Sequence, residues 1–192
     1  AVSDWLTEKG LDATIVSALD SVAWLFNVRG SDVDRTPVAL SFAVVGQDGI
    51  ADLYVAPEKI DDAVRQHLGN AVRIHDREDF APALKAMSGK KIAVDPEHAV
   101  SAIFAALQAG GATVVELRDP TILAKALKNP VEQAGHRAAQ RRDGAALSRF
   151  LHWVSVEAPK GTVTELSAAE KLQSFRAATG KLKDLSFDTI SG

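Results

Sequence analysis

With 192 residues, 46% of them hydrophobic and 24% charged, the chain has the make-up of a folded globular protein, long enough for one large domain or for one domain and part of another. A net charge of -3 excludes the overall basicity of a nucleic-acid binder and the extreme charge of a disordered segment. The absence of cysteine excludes a disulfide framework and any thiolate metal site.

The longest apolar runs, Val38 to Val45 and Ala102 to Leu107, fall well short of the roughly 20 residues that span a bilayer, so no membrane partner is expected. Ala1 to Glu8 lacks the basic start and apolar run of a signal peptide. Because the chain starts with Ala1 and not Met, it is expected to be a piece of a longer protein. Asp and Glu outnumber Lys and Arg up to Leu117, and the balance reverses from Arg118 to Lys160.

In chain order, Asp4 to Lys9 reads as the end of a helix stopped by Gly10, and Ala13 to Ser17 as a short buried strand. Asp20 or Ser21 is expected to cap a helix through Phe26, with Trp24, Leu25, Phe26 and Val28 sunk in a core. Asn27 to Asp34 is a loop in which Gly30 is free to adopt positive φ. Val38 to Val45, a turn at Gly46 to Gly49, and Ile50 to Val55 form a hairpin. From Pro57 the period changes: Ile60, Ala63, Val64 and Leu68 make a helical stripe, followed by a strand at Val72 to Ile74. A helix from Asp79 to Met87, a strand from Lys91 to Val94, a helix from Ala99 to Ala109 and a strand from Thr113 to Leu117 complete an α/β fold, a mixed sheet flanked by helices.

One domain is therefore expected over residues 1–117. Residues 118–129, bounded by Pro120 and Pro130, read as a connector with a short helix from Thr121 to Leu127. A third segment, residues 130–192, opens with the longest helical signal, Pro130 to Val156, whose apolar stripe is drawn through Val131, Ala134, Ala138, Ala145, Phe150, Leu151 and Val154. Pro159 to Gly161 breaks it, Thr164 caps a second helix through Ala178, and Leu185 to Ile190 reads as the first strand of a new sheet.

The residues that carry chemistry are sparse. His67, His75, His98, His136 and His152 show no HExxH spacing and no local carboxylate pair, and are read as surface residues. Asp188 is a lone carboxylate, Asp61-Asp62 and Glu78-Asp79 are helix-start charges, and Gly89-Lys90-Lys91 lacks the remainder of a phosphate loop. No GxSxG or GxGxxG occurs. Arg137, Arg141, Arg142 and Arg149 lie on a solvated helix face without interleaved aromatics, so no nucleic-acid partner is expected. No catalytic and no metal-ligating residue is assigned. Arg29 is the single substrate-binding candidate: a guanidinium beside Gly30 pairs bidentately with a carboxylate, either the end of a short peptide or Asp32 and Asp34 nearby.

The run from Trp24 through Asn27, Arg29 and Gly30 resembles the middle domain of the three-domain aminopeptidases P, members of the creatinase and pita-bread metallopeptidase family. Lys128 to Glu132, Arg142 to Leu147 and Phe150 to Trp153 resemble the helix that opens the family's catalytic domain. Thr164-Glu165, Lys171-Leu172, Phe175-Arg176 and Ser186 to Gly192 resemble its next helix and strand. The resemblance covers nearly the whole chain, in the right order. It implies a creatinase N-terminal-like middle domain followed by the beginning of a truncated pita-bread domain, in a parent that removes the N-terminal residue preceding proline. It also implies two divalent ions, manganese in most members, held by two Asp, one His and two Glu that all lie beyond Gly192. The piece itself is then inactive and works by shaping substrate access in a cytoplasmic parent whose substrates are proline-containing peptides. The apolar stripe of the helix from Pro130 to Val156, without the sheet it should cover, is expected to make the piece a homodimer through that helix. Two other readings stay open: a non-catalytic pita-bread relative that binds basic protein as a chaperone, and a creatinase-type amidinohydrolase.

Overall fold

Runs of four to six apolar or β-branched residues become strands when both faces of their sheet are covered, and that condition is met in the first part of the chain. The protein is represented by a computed structural model that describes residues 1–190. It divides into two compact units, Ala1–Leu127 and Lys128–Gly192. Unit 1 runs α1 (Val2–Lys9), β1 (Ala13–Val16), α2 (Leu19–Phe26), β2 (Ser41–Gly46), β3 (Ala51–Val55), α3 (Asp62–Leu68), β4 (Val72–His75), α4 (Phe80–Lys85), β5 (Lys91–Val94), α5 (Ser101–Ala109), β6 (Thr113–Glu116) and α6 (Thr121–Ala126). Its strands form one sheet in the order β4-β3-β2-β1-β5-β6. β2 is antiparallel to both neighbours, and every other pair is parallel. This is the mixed α/β sheet that the alternation of patterns predicts.

Successive residues of each strand serve opposite cores, as a two-residue period requires. Ile15, Val44, Tyr54, Ile92 and Val94 face α4 and α5, meeting Phe80, Leu84, Ile103 and Leu107. Val16, Ala43, Val45, Leu53 and Val55 face the other way, onto Val22 and Phe26 of α2. Ala93 continues that second face and meets Leu6 and Leu11 beside α1.

Several boundaries differ from those expected, each for a local reason. α2 starts at Leu19 with Ala18 at the cap position and no side-chain cap. Asp20 lies in its first turn and pairs with Lys125 of α6, while Ser21 is buried. Only one stripe of α2 is inside: Val22 and Phe26, one turn apart, are buried, whereas Trp24 and Leu25 are half-buried. β2 begins at Ser41, three residues late, because Asp32 captures the Leu40 N–H at 2.6 Å. Pro57–Lys59 forms only a 3₁₀ turn, and α3 starts at Asp62, where Asp61 accepts from the Val64 N–H at 2.8 Å. α4 likewise starts at Phe80, after a 3₁₀ turn over Arg77–Asp79. α5 starts at Ser101, since the Ala99 N–H is used by the turn at Asp95. Residues 118–127, expected within a connector, carry α6, which packs on α2 with Asp119 and Thr121 buried.

Unit 2 holds α7 (Pro130–Glu157) and α8 (Glu165–Ala177), packed against each other. Both have reciprocal N-terminal caps, Asn129 with Glu132 and Thr164 with Ser167. α7 has 28 residues, a length of about 42 Å. Its packed side runs through buried Ala146 and half-buried Phe150, Trp153 and Val154, so Phe150 and Val154 of the expected stripe lie on it while Val131, Ala145 and Leu151 are exposed; Asp143, on the same side, pairs with Arg176 of α8 at 2.6 Å. Residues 185–190 form no strand: unit 2 has no other strand among the described residues to take up their backbone hydrogen bonds.

Candidate functional site

Arg29 lies where α2 ends. Asn27 adopts a left-handed conformation, φ 50°, and closes the helix with its own N–H on Trp24 O and the Val28 N–H on Ala23 O. Carbonyls at this turn also meet side-chain nitrogens. Arg29 Nη1 donates to Ala23 O at 3.0 Å and to Val28 O at 2.8 Å, and His67 Nε2 of α3 lies 3.0 Å from Phe26 O. The expected pairing of Arg29 with Asp32 or Asp34 does not form. The helix end offers fixed acceptors closer at hand, and Asp32 is taken by Lys59 and by the Leu40 N–H.

The chain then folds back. Gly30 runs so close to Ala39 that a Cβ at this position would lie 2.7 Å from the Ala39 nitrogen. It needs no positive φ; the space is what demands glycine. The tip turns through Arg35, φ 60°, and Val33 bridges Thr36. Asp32 ties the base, accepting Lys59 Nζ at 2.5 Å and the Leu40 N–H, and its N–H donates to Val38 O at 3.3 Å. The Lys59 ammonium, followed by the Leu40 N–H, holds the Asp32 carboxyl below the usual carboxylate value.

Between this loop, the hairpin and the start of α3 lies a cleft of about 300 Å³. Leu53, Val55, Ile60 and Val64 make its apolar floor, and Arg29, Ser31, Asp32 and Lys59 its polar rim. It opens at the carboxyl ends of the parallel strands, where Val55 closes β3 and Ser41 opens the antiparallel β2. Open α/β sheets hold ligands at this edge. Such a cleft suits an apolar group carrying an anion.

A second cluster was not foreseen. Asp95, Glu97 and His98 bring one ligand atom each to within 4.8 Å of one another, so His98 does have local carboxylates. Asp95 is 3% exposed and fully engaged, its Oδ1 accepting the Glu97 N–H and its Oδ2 the Asp119 N–H, both at 2.8 Å, with His98 Nδ1 at 3.1 Å. Burial pushes its carboxyl up, but the Asp119 and Glu97 N–H groups and the His98 ring outweigh that and leave it below the usual value. This group stitches the loops after β5 and β6, and the Ser17 hydroxyl adds a bond to His98 O at 3.2 Å. The crevice between β1 and β5, where connections leave for opposite faces of the sheet, is thereby closed. One Asp with occupied oxygens, one exposed Glu and one His do not make the five-ligand dimetal set that the resemblance implies. Asp119 Oδ2 is buried without a hydrogen-bond partner among the described residues.

His75 also has a carboxylate, Asp52, 2.7 Å from its Nε2, and Arg73 grips the same group with two bonds of 2.7 Å. Burial pushes Asp52 up, and Arg73 and His75 bring it below the usual value. His136 and His152 are exposed, as read from the sequence. A wider cleft of about 530 Å³ in unit 2 runs between α7, α8 and residues 181–190. One of its walls is coil, so it does not hold polar groups on rigid elements as a binding site requires. No described helix is long and apolar enough to cross a membrane.

Residues 1–132 match the Creatinase/Prolidase N-terminal domain model, and the chain belongs to that family. It is similar to a probable Xaa-Pro aminopeptidase P of Talaromyces stipitatus, 39% identical over 187 residues, covering 92% of this chain and 28% of the relative. Among solved structures, an X-prolyl aminopeptidase of Caenorhabditis elegans, described as a cytosolic enzyme with a di-nuclear active site, superposes with a TM-score of 0.88 at 32% identity over 100% of this chain and 32% of that one. A Xaa-Pro dipeptidase of Bacillus anthracis shares the fold, with a TM-score of 0.68 at 14% identity, over 93% of this chain and 47% of that one. The chain thus spans about a third of the length of the aminopeptidase relatives.

Proposed function

We propose that this chain is the supporting part of a metal-dependent Xaa-Pro aminopeptidase, orienting the catalytic domain and narrowing access to it so that short peptides enter and folded proteins do not. The observation that carries the reading is the superposition of the whole chain on the C. elegans enzyme at 32% identity, since both units match one such protein at once. In this reading residues 1–117 form the middle domain, 118–129 the connector and 130–192 the beginning of the catalytic domain. Two divalent ions, manganese in particular, are held by residues outside this chain. Arg29 contacts the substrate. The protein is cytoplasmic, in keeping with the description of the C. elegans relative.

The test is to express the complete polypeptide and follow release of the first residue from Ala-Pro-Leu and Ala-Ala-Leu. Cleavage confined to the proline peptide, abolished by chelation and restored by Mn²⁺, is expected. Equal cleavage of both peptides, or none, overturns the reading. The 192-residue chain alone is expected to be inactive.

The proposal includes a homodimer. Leu147 and Leu151, one turn apart on α7, are 39% and 58% exposed, an apolar pair suited to a second copy. Sedimentation of the chain is expected to show a concentration-dependent dimer; a monomer at every concentration rules out this interface.

A further inference from the structure

We propose, building on the aminopeptidase reading, that the 300 Å³ cleft of unit 1 receives the C-terminal residue of a short peptide, with its side chain on the apolar floor and its carboxylate on Arg29. The volume comes first. Ligand cavities span roughly 300–1,000 Å³, so this one admits a single residue and excludes a through-running chain.

The charge balance selects an anion. Lys59 and Asp32 offset each other's charge, and Asp32 is also fixed by the Leu40 N–H, so the pair adds no net charge to the rim. Arg29 is the remaining cation on the rim. Only its Nη1 is spent, on Ala23 O and Val28 O. Those two bonds hold the guanidinium in place, and Nε and Nη2 make no hydrogen bond to the described residues. A carboxylate is the anion that this remaining edge fits in a two-point fashion.

The floor then selects what the carboxylate carries. Leu53 and Val55 are buried, Ile60 and Val64 half-buried, and none offers a polar atom beyond its backbone. An apolar side chain gains by covering the surface that Ile60 and Val64 still expose, whereas a charged one is desolvated without a partner. The cleft therefore reads both ends of one residue: free carboxylate and apolar side chain. A substrate whose last residue reaches this point is held by its end, which gives preference for short peptides with a free, apolar C-terminus.

The probes are Pro-Leu, its C-terminal amide and Pro-Asp, titrated into the 192-residue chain while backbone amide signals are followed by NMR. Pro-Leu is expected to bind with a dissociation constant of about 1 mM or tighter, in the range of ordinary substrate affinities. The shifts should centre on Arg29 to Asp32 and Leu53 to Val55. Amidation and the Pro-Asp exchange should each weaken binding about tenfold, as loss of a charge-assisted pair or of a matched apolar contact does. Arg29→Gln should erase the preference of acid over amide. Since that change also removes a helix-end contact, Arg29→Lys serves beside it: it keeps the charge, loses the fork, and should retain part of the preference. Equal binding of acid and amide, shifts outside the cleft, or no binding up to about 10 mM, ten times the weak end of that range, overturns the proposal. None of these outcomes touches the aminopeptidase reading, which is decided by whether the complete polypeptide cleaves before proline.

Discussion

A methyl group added at Gly30 would meet the Ala39 nitrogen, Cα and Cβ at 2.7 to 2.8 Å, and all of these belong to a strand-entry segment tied down by Asp32. Gly30→Ala is therefore expected to cost about 1–3 kcal/mol in denaturant unfolding, as overpacking does, and to splay the cleft rim. An unchanged midpoint would show that the loop yields freely. The sequence marks Gly30 as special but gives the wrong cause, since nothing local tells positive φ from a close approach nine positions away. The same holds for Arg29, whose partners are carbonyls of its own helix end, and for Lys59, whose pairing with Asp32 spans 27 positions. Asp95 offers a second prediction. Its carboxyl titrates lower folded than unfolded, so its stabilising effect is present above the ordinary carboxylate range near pH 4 and is lost as the pH falls through the folded value. Asp95→Asn should lower stability at pH 7 and flatten the fall in stability between about pH 5 and pH 2, read from unfolding curves across that range. A parallel fall in both proteins would assign the acid sensitivity elsewhere.

At the scale of elements the sequence speaks most clearly where a stripe and a stop coincide. The hairpin of β2 and β3 and α5 ended by Gly110-Gly111 are of this kind, because the signals are local and agree with the packing that follows; α7 starts at Pro130 as expected, but its packed side departs from the expected stripe. The stretch 185–190 misleads because a strand is half of a pair, and unit 2 holds no partner strand among the described residues. α2 misleads in another way: two capping residues stand ready, but one is drawn into an ion pair with α6 and the other into the interior. How elements meet is least legible of all. Phe80 opens α4 and stacks on Phe42 of β2 with ring centroids 4.3 Å apart, while tilting onto Tyr54 of β3 at 5.2 Å. This three-ring contact anchors α4 to the sheet, so Phe80→Ala is expected to cost about 3–5 kcal/mol in denaturant unfolding. A cost below 1 kcal/mol would mean that neighbours collapse into the space.

For the molecule as a whole, the two units differ in how much apolar surface they bury. Unit 1 has helices on both faces of a six-stranded sheet and three clusters of buried side chains, among them Leu6, Val16, Val22, Leu84, Ile92, Val94 and Leu107 at no more than 2% exposure. Unit 2 is a helix pair in which Ala146 is the buried apolar residue among those described, while Val131 of α7 and Leu166 of α8 are 81% and 78% exposed. Hydrophobic burial is the main favourable contribution to folding, and a helix pair lacking it relies on caps and on the Asp143 to Arg176 contact, which is worth little where solvent screens it. The sequence reports the lengths and stripes of these helices but not this deficit, because a stripe looks the same whether or not anything covers it. Hydrogen exchange should then separate the units. Amides of β1, β2 and β5 are expected to exchange only with global opening of unit 1, and those of α7 and α8 at least about a hundredfold faster, through an opening of their own. If the helices are protected as well as the sheet, unit 2 is stabilised by contacts beyond its own packing; dilution then tests whether a second copy supplies them, because protection from a dimer declines with concentration.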